Sequence, residues 1–265
     1  NDALLVRAGA GMWPTPYAEG LAPELRAALS RLAHAVRPPP AFDPATSERV
    51  FALASPDLFD AVVLPTLLAT LAEEGPKLGV AMQPGLRDLG WRLETGELDF
   101  AVVPSLSGGS TLTPSDDGLD ADLRRTRLFE DSFTPYVRCG HPAVGKRLSA
   151  KAFAALDHVV VAPTGSGDGI TDTALEERGL SRRISVRVPS FLAAVAVVRA
   201  TDMVMVAPGA LIHIDSGLSP LKVALKLPKH GLHLVWHPRF DAEPGRRWLR
   251  ARLQTATARL AAKLV

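Results

Sequence analysis

The chain of 265 residues has little of what marks several large classes of protein. Its one cysteine, Cys139, excludes an intrachain disulfide framework and favours a reducing compartment. No apolar run approaches the ~20 residues that cross a bilayer, and no secretion signal is visible at the N-terminus. The net charge of +2 is too small to indicate nucleic-acid binding by itself. We therefore expect a globular, cytoplasmic protein without a membrane partner.

The spacings of common catalytic and metal sites are also missing. The seven histidines form no HExxH pattern, and one cysteine cannot build a thiolate zinc site. The loop at residues 164–169 has neither the Gly-Lys-Ser/Thr ending of a P-loop nor the glycine spacing of a dinucleotide site. No serine has the G-x-S-x-G spacing of a nucleophile elbow. We therefore expect no catalytic residue, no metal and no cofactor.

The N-terminal residues predict two short strands around a tight turn. Residues 3–7 form an apolar strand that ends on Arg7, the glycines of residues 9–11 reverse the chain, and residues 12–16 lead into a helix. A hairpin followed by a long helix is a poor start for an independent fold, but it suits the end of a winged helix-turn-helix domain. In that case the helices that read DNA lie before Asn1, and we expect the chain to be part of a longer protein.

The helix after the hairpin carries one apolar seam with three- and four-residue spacing. Its members are Ala18, Leu21, Leu25, Ala28, Leu32 and Ala35. The seam predicts either a dimerisation helix, with Leu21, Leu25 and Leu32 at the contact, or a surface helix packed on its own domain. The prolines at residues 38–40 end the helix, and a linker follows over residues 37–47.

From residue 49 onward, strands alternate with helices, which predicts an α/β fold with a mainly parallel sheet. The predicted strands are residues 49–54, 78–83, 99–103, 133–138, 158–162, 184–188, 203–207 and 233–237. Ser55 is predicted to cap the first helix, Pro56 to be its first residue, and Gly75-Pro76 to end it. The other helices are residues 86–95, 150–156, 170–178, 191–200 and 243–260. Two such units, joined by two extended segments, predict a cleft between them.

Taken in order, these features make the sequence similar to the LysR-type transcriptional regulators. Leu5-Val6-Arg7, residues 9–12 and residues 14–18 resemble the wing and the start of the linker helix in that family. The later matches are residues 51–57, Leu64-Pro65, residues 96–101, Val137-Arg138-Cys139-Gly140-His141-Pro142 and residues 186–191. The resemblance implies a two-lobed effector domain with the type-2 periplasmic-binding-protein fold, preceded by a remnant of the winged domain and a long linker helix.

The resemblance also implies a division of the chain. Residues 1–16 would be the remnant of the winged domain, residues 17–46 the linker helix and hinge, and residues 47–265 the effector domain. Lobe I would comprise residues 47–132 and 238–265, and lobe II residues 133–237. The expected partners are promoter DNA, bound mostly through the missing winged domain, a small-molecule effector, and further copies of the chain in a homodimer or homotetramer.

Candidate effector-binding residues follow from the predicted sheet, since ligands bind beyond the carboxyl ends of parallel strands, where helix N-termini offer free amides. This rule selects Ser55, Asp57, Gln83, Pro104, Ser105, Thr164, Gly165, Ser190 and Phe191. Hydroxyl groups and helix N-termini suit an organic acid or another anion. The alternative is that Ser55 and Ser190 only cap helices. Arg7 is the candidate for DNA contact, with a solvated surface arginine as the alternative.

Two other functions remain open at this point. A solute-binding receptor of a transporter uses the same two-lobed fold, and an α/β enzyme of the prephenate-dehydratase-like or deaminase-like kind has two similar lobes.

Overall fold

The computed structural model describes residues 2–9, 11–35, 42–106, 122–162, 169–213 and 217–264. The chain divides into two compact units, Asn1–Ala41 and Phe42–Val265. No helix within the described ranges is long and apolar enough to cross a membrane.

The first unit is a hairpin followed by a helix. Strands β1 (Leu5–Ala8) and β2 (Gly11–Pro14) pair antiparallel, with Arg7 opposite Met12. Gly9 has a φ of +63°, a left-handed conformation that glycine adopts without steric cost. Helix α1 (Pro16–Ala35) begins where the hydroxyl of Thr15 accepts a hydrogen bond from the backbone N–H of Ala18 at 3.2 Å. The predicted order of strand, turn, strand and helix is confirmed.

Helix α1 presents leucine side chains to solvent. Leu25, Leu29 and Leu32 are 48%, 60% and 60% exposed, and Leu21 is half-buried. Large apolar side chains at this spacing are normally covered, because leaving each in water forgoes about 1.5–3 kcal/mol of burial free energy. The alternative of a surface helix packed on its own domain stays open. Dimerisation through these leucines stays a prediction.

The second unit contains the remaining strands and helices. Its strands are β3 (Val50–Ala54), β4 (Gly79–Gln83), β5 (Phe100–Leu106), β6 (Arg124–Arg138), β7 (Arg147–Leu148), β8 (Asp157–Val161), β9 (Arg183–Val188), β10 (Val204–Pro208), β11 (Leu218–Pro220), β12 (Lys222–Val223) and β13 (Lys229–Trp236). Its helices are α2 (Asp57–Glu74), α3 (Leu89–Thr95), α4 (Ala150–Ala154), α5 (Ile170–Glu176), α6 (Phe191–Ala200) and α7 (Pro244–Leu264), with 3₁₀ turns at Gly209–His213 and Pro238–Phe240.

One curled sheet runs through both lobes in the order β4, β3, β5, β13, β6, β10, β8 and β9, and β11 pairs with β6. Parallel pairs form the outer part of each lobe, β3 with β4 and β5, and β8 with β9 and β10. Between them, β13 and β6 pair antiparallel with each other and with their outer neighbours, β5 and β10. The α/β two-lobed fold is confirmed, but the sheet is mixed in the middle.

The two crossing strands differ most from the prediction. The 15-residue β6 starts at Arg124, well before the predicted residue 133, and β13 starts at Lys229, four residues before the predicted 233. The first half of β6 is rich in arginine and mostly exposed, so its sequence lacks the apolar pattern on which the prediction depends. Long-range pairing with β13 holds it extended instead.

The core of lobe I forms between α2, α7 and the sheet. Leu249 and Leu253 of α7 lie in one buried cluster with Phe51 of β3 and with Val63 and Leu67 of α2. The C-terminal helix therefore returns to lobe I, the lobe that contains β3. In lobe II, Val195 and Val198 of α6 belong to a separate buried cluster with Tyr136, Val159 and Met205.

Candidate functional site

A cleft of about 980 Å³ opens between the two lobes. Its floor is the middle of the sheet, where Pro104 of β5, Phe129 of β6 and Leu232 of β13 are in cross-strand register and line the space. Helix α2 forms one wall through Phe59 and Val62, and the ends of β8 and β10 form the other. A largely apolar concave space of this size is the usual form of a small-molecule site.

The structure places five of the predicted site residues together. Ser55, Asp57, Pro104, Ser190 and Phe191 all line the cleft. Thr164 and Gly165 lie outside the described residues. Gln83 and Ser105 are not among the lining residues of the described chain. For all nine, effector binding itself stays a prediction.

Ser105 is displaced by the alternation of a strand. It neighbours the lining residue Pro104, so its side chain points to the opposite face of the sheet, where its hydroxyl lies 3.1 Å from Nδ1 of His233. Gln83 ends β4 short of the cleft, which is lined instead by the following loop, Pro84, Gly85, Leu86 and Arg87. The rule that selected both residues locates the end of a strand but not the side to which each residue points.

The start of helix α2 differs from the prediction in its cap. Pro56, and not Ser55, occupies the N-cap position, and no side chain caps the helix. The Ser55 hydroxyl donates instead to the carboxylate of Asp60, one turn along. Burial and the negative charge of Asp57 raise the pKa of Asp60, and the Ser55 hydrogen bond only partly opposes this. Ser55 is therefore a cleft residue held by a carboxyl group.

The start of helix α6 is capped from both lobes. The hydroxyl of Ser190 accepts from the N–H of Ala193 at 3.2 Å, as the capping alternative predicts. A carboxylate oxygen of Asp57, in lobe I, accepts from the N–H of Leu192 at 3.0 Å. Two of the amides that an anionic ligand could use are thus already bonded. Asp57 consequently acts as a tie between the lobes and disfavours a second negative charge beside it.

The lobe II wall is stiffened by a buried ion pair. Arg182, which lines the cleft, donates from Nε and Nη2 to the two oxygens of Asp172, both at 2.7 Å. Burial would raise the pKa of Asp172, but its hydrogen bonds with Arg182 and the Gly169 N–H outweigh burial and lower it. Nη1 of Arg182 donates to Nδ1 of the fully buried His158 at 3.3 Å. Arg182 is already paired, so it is a poor partner for a ligand anion.

Arg87 is the cation that the cleft presents to a ligand. It is exposed, lines the cleft, and has no hydrogen bond or ion pair with any other described residue. The loop that carries it contains two left-handed residues, Gly85 (φ 75°) and Asp88 (φ 52°), and Arg92 donates to the carbonyl of Gly85 at 3.3 Å. A left-handed conformation is unfavourable in a non-glycine residue, so Asp88 adopts it only because the surrounding contacts fix the loop. The sequence signal was the Pro84-Gly85 pair, which the strand-end rule did not use.

His230, near the start of β13, is another polar lining residue that the sequence did not indicate. It is 3% exposed and lies directly across from Asp131 of β6. No pattern indicated His230, because the predicted strand begins at residue 233, after it. Within the described chain, no group of three or more His, Cys, Asp or Glu side chains could hold a metal ion.

A two-lobed fold with an apolar cleft at the junction is a usual form of ligand-binding domain, and the comparisons with known proteins identify the family. The family described as LysR substrate binding domain matches residues 45–258. The HTH-type transcriptional activator NagR of a Ralstonia species is 31% identical over 256 residues, which cover 94% of this chain and 81% of NagR. The chain belongs to the LysR family of transcriptional regulators.

Solved structures support the same assignment. One match is the crystal structure of a probable transcriptional regulator from Pseudomonas aeruginosa, with a TM-score of 0.69 and 27% identity. The aligned region covers 96% of this chain and 82% of that protein's chain. Another is the regulatory domain of MexT, a transcriptional activator in Pseudomonas aeruginosa, with a TM-score of 0.63 and 25% identity. The aligned region covers 80% of this chain and 100% of the MexT domain. These relatives are regulators, so the findings favour a regulator over the solute-binding receptor.

Proposed function

We propose that the cleft binds a small organic acid or aromatic molecule and that this ligand controls the regulator. The observation that carries the proposal is the composition of the cleft, whose apolar walls and floor include Phe59, Phe129 and Leu232 and which presents one unpaired cation, Arg87, among the described residues. Apolar surface supplies affinity for a ring or a short chain, and a few polar groups fix its orientation. We expect a carboxylate to face Arg87 and to avoid Asp57.

The proposed ligand acts by changing the balance between arrangements of the lobes. It would contact α2 of lobe I through Val62, the strand ends of lobe II through Val160 and Pro208, and the floor through Leu232. A ligand shifts such a balance only by the difference between its affinities for the two arrangements. Contacts on both lobes and on the strands that join them provide that difference. The shift from one arrangement of the lobes to the other would then alter how copies of the regulator pack on promoter DNA.

Oligomerisation is proposed to occur through α1 as a homodimer or homotetramer. Leu25 and Leu32, with Leu21 beside them, form the seam, and the strong exposure of the first two supports a second copy of the same helix as their partner. A molar mass of one chain in light scattering at micromolar concentration would contradict this. Domain boundaries at residues 16 and 46, as drawn from the sequence, belong to the same proposal.

Promoter DNA is the proposed target, and Arg7 its proposed contact. Arg7 is exposed on β1 of the hairpin, where a guanidinium can reach phosphate or a narrow minor groove. A protein that acts on promoters works where the chromosome is, so we propose a cytoplasmic location. We also propose that the chain does not turn over its ligand, since a sensor needs only to bind it.

Chromatin immunoprecipitation of the native protein, tagged at its chromosomal locus, tests the proposed function. We expect enrichment at one or a few discrete intergenic sites, and altered transcription of an adjoining gene when the tagged gene is deleted. Recovery of no site above an untagged control would overturn the proposal.

A further inference from the structure

Lobe II contains a second cavity, of about 390 Å³, beside the middle of β6. We call it the β7–β12 pocket, because those two strands supply its charged side chains. Its lining includes Phe133 and Pro135 of β6, Arg147 of β7, Lys222 of β12, and Leu225 and Leu227 just after β12. Arg147 and Lys222 are the charged residues of this lining in the described chain, and no carboxylate belongs to it. A cavity of this size accommodates a small molecule.

Arg147 and Lys222 lie side by side on neighbouring strands. Strands β7 and β12 pair parallel, with Lys222 directly beside Arg147 and Val223 directly beside Leu148. Val223 and Leu148 pack against an apolar cluster around Phe153, and successive side chains of a strand alternate between its faces. Arg147 and Lys222 therefore point away from that cluster, and both are exposed. Because paired strands are about 4.8 Å apart, one ligand group can contact both cations.

The two positive charges are not balanced by any residue that the structure describes. Like charges directly opposite each other on paired strands are destabilising. Neither Arg147 nor Lys222 has a hydrogen bond or an ion pair with another described residue. Three other arginines of lobe II each contact a carboxylate, namely Arg138, Arg182 and Arg183. The β7–β12 pocket is therefore a place of positive potential that attracts an anion from solution.

We propose that the β7–β12 pocket is a second ligand site, which binds a small organic dianion of the phosphate monoester class. A phosphate monoester carries a charge of about −1.5 to −2 at pH 7, so it balances both cations, whereas one carboxylate balances only one. Its oxygens accept hydrogen bonds from the Arg147 guanidinium and the Lys222 ammonium at the same time. The organic part of the ligand lies against the apolar lining, which includes Leu225 and Leu227.

The pocket adjoins the cleft but is a separate space. Phe133 lines both cavities, so a molecule in the pocket contacts the strand that joins the two lobes. Leu225 and Leu227 line the pocket and not the cleft, while Val62 and Leu232 line the cleft and not the pocket. The methyl groups of these four residues therefore report which cavity a ligand occupies. The proposed second site does not depend on the role proposed for the cleft.

Three probes separate the effect of charge from that of apolar contact. Phenyl phosphate carries a ring and two negative charges, benzoate carries the same ring and one charge, and benzyl alcohol carries the ring without a charge. Binding of each to the chain is measured at low ionic strength by NMR titration, with leucine and valine methyl groups labelled. We expect phenyl phosphate to bind about five- to ten-fold more tightly than benzoate, and to shift the methyl resonances of Leu225 and Leu227 more than that of Val62.

Variants connect that preference to the two cations. Arg147→Gln combined with Lys222→Gln should weaken phenyl phosphate binding at least about ten-fold, because both positive charges are lost. The matched control is Lys146→Gln combined with Lys151→Gln, which removes the same charge from exposed positions outside the lining and should change the affinity less than about two-fold. Lys222→Glu guards against a folding defect: a carboxylate beside Arg147 replaces repulsion with attraction, so the urea midpoint should rise while phenyl phosphate binding is lost.

The remaining outcomes would overturn the second site. Equal affinities for phenyl phosphate and benzoate, or an equal loss in the two double variants, would mean that binding follows net charge and not the Arg147–Lys222 pair. Shifts confined to Val62 and Leu232 would place phenyl phosphate in the cleft instead. Failure of phenyl phosphate to shift Leu225 or Leu227 at millimolar concentration would also contradict the proposal. None of these results bears on the proposed regulatory function, which the chromatin experiment decides.

Discussion

A single buried imidazole illustrates how residues behind the cleft hold its shape. His158 is fully buried; its Nε2–H donates to the carbonyl of Phe153 at 3.1 Å, and its Nδ1 accepts from Arg182. These two bonds require the neutral ring. Burial, followed by the positive charge of Arg182, lowers the pKa of His158 to about 4. The ring therefore links β8 to the Arg182–Asp172 pair on the cleft wall only while it stays unprotonated.

The stability of the effector domain should consequently fall in weak acid. An unfolded histidine has a pKa of about 6.5, so the unfolded chain binds the proton more readily, and the stabilisation present above that pH is lost as the pH falls through about 4. Urea unfolding at pH 7.5 and pH 4.5 should show the wild type losing about 2–3 kcal/mol more than His158→Gln over this interval. Equal losses in the two proteins would show that the ring is not held neutral.

At the scale of elements, the two helices that point at the cleft are joined to each other. Asp57 opens α2 in lobe I and bonds an amide in the first turn of α6 in lobe II. The bond crosses the cleft and adds to two other connections between the lobes, the sheet strands and Leu58 of α2, which lies in the buried cluster of lobe II. A ligand that enters beside Asp57 must therefore compete with this bond or fit around it.

Removing the carboxylate should loosen the start of α6. In Asp57→Ala the amide of Leu192 loses its acceptor, and we expect its hydrogen exchange to become about three- to ten-fold faster, since one hydrogen bond is worth about 0.5–1.5 kcal/mol. Asp57→Asn keeps an acceptor oxygen and serves as the control, with a smaller change. Unaltered exchange in the alanine variant would mean that Asp57 does not tie the lobes.

The elements with clear local signals were predictable from the sequence. Helix α6 begins and ends at the predicted residues, because Ser190 caps it and its apolar residues repeat at helical spacing. The polar first half of β6 was not predictable, because pairing with β13 and not local pattern makes it a strand. His230 was missed for a similar reason, because the predicted strand begins three residues after it. Ser105 was predicted to face the cleft, but successive side chains of a strand alternate between the two faces, and Ser105 lies on the other one. Strand ends indicated where the cleft lies, but the antiparallel strands that form its floor have no such signal.

At the scale of the whole molecule, each of the two units carries a different functional feature. The first unit carries a hairpin with an exposed Arg7 and a helix with exposed leucines. The second unit carries the cleft, and residues 45–258 match the LysR substrate binding domain. The proposed control of the regulator by a ligand depends on the cleft being a ligand site.

Blocking the cleft is the most direct test of that claim. Val62 of α2 faces the cleft, and Val62→Trp should fill part of it, whereas Val144→Trp places the same side chain on an exposed site outside the lining residues. The measurement is ligand binding, by thermal shift and calorimetry, across a panel of small carboxylic acids, phenols and aromatic acids. We predict that at least one compound binds the wild type and Val144→Trp alike, binds Val62→Trp at least about ten-fold more weakly, and is recovered unchanged. Equal binding to Val62→Trp by every compound that binds the wild type would contradict the account.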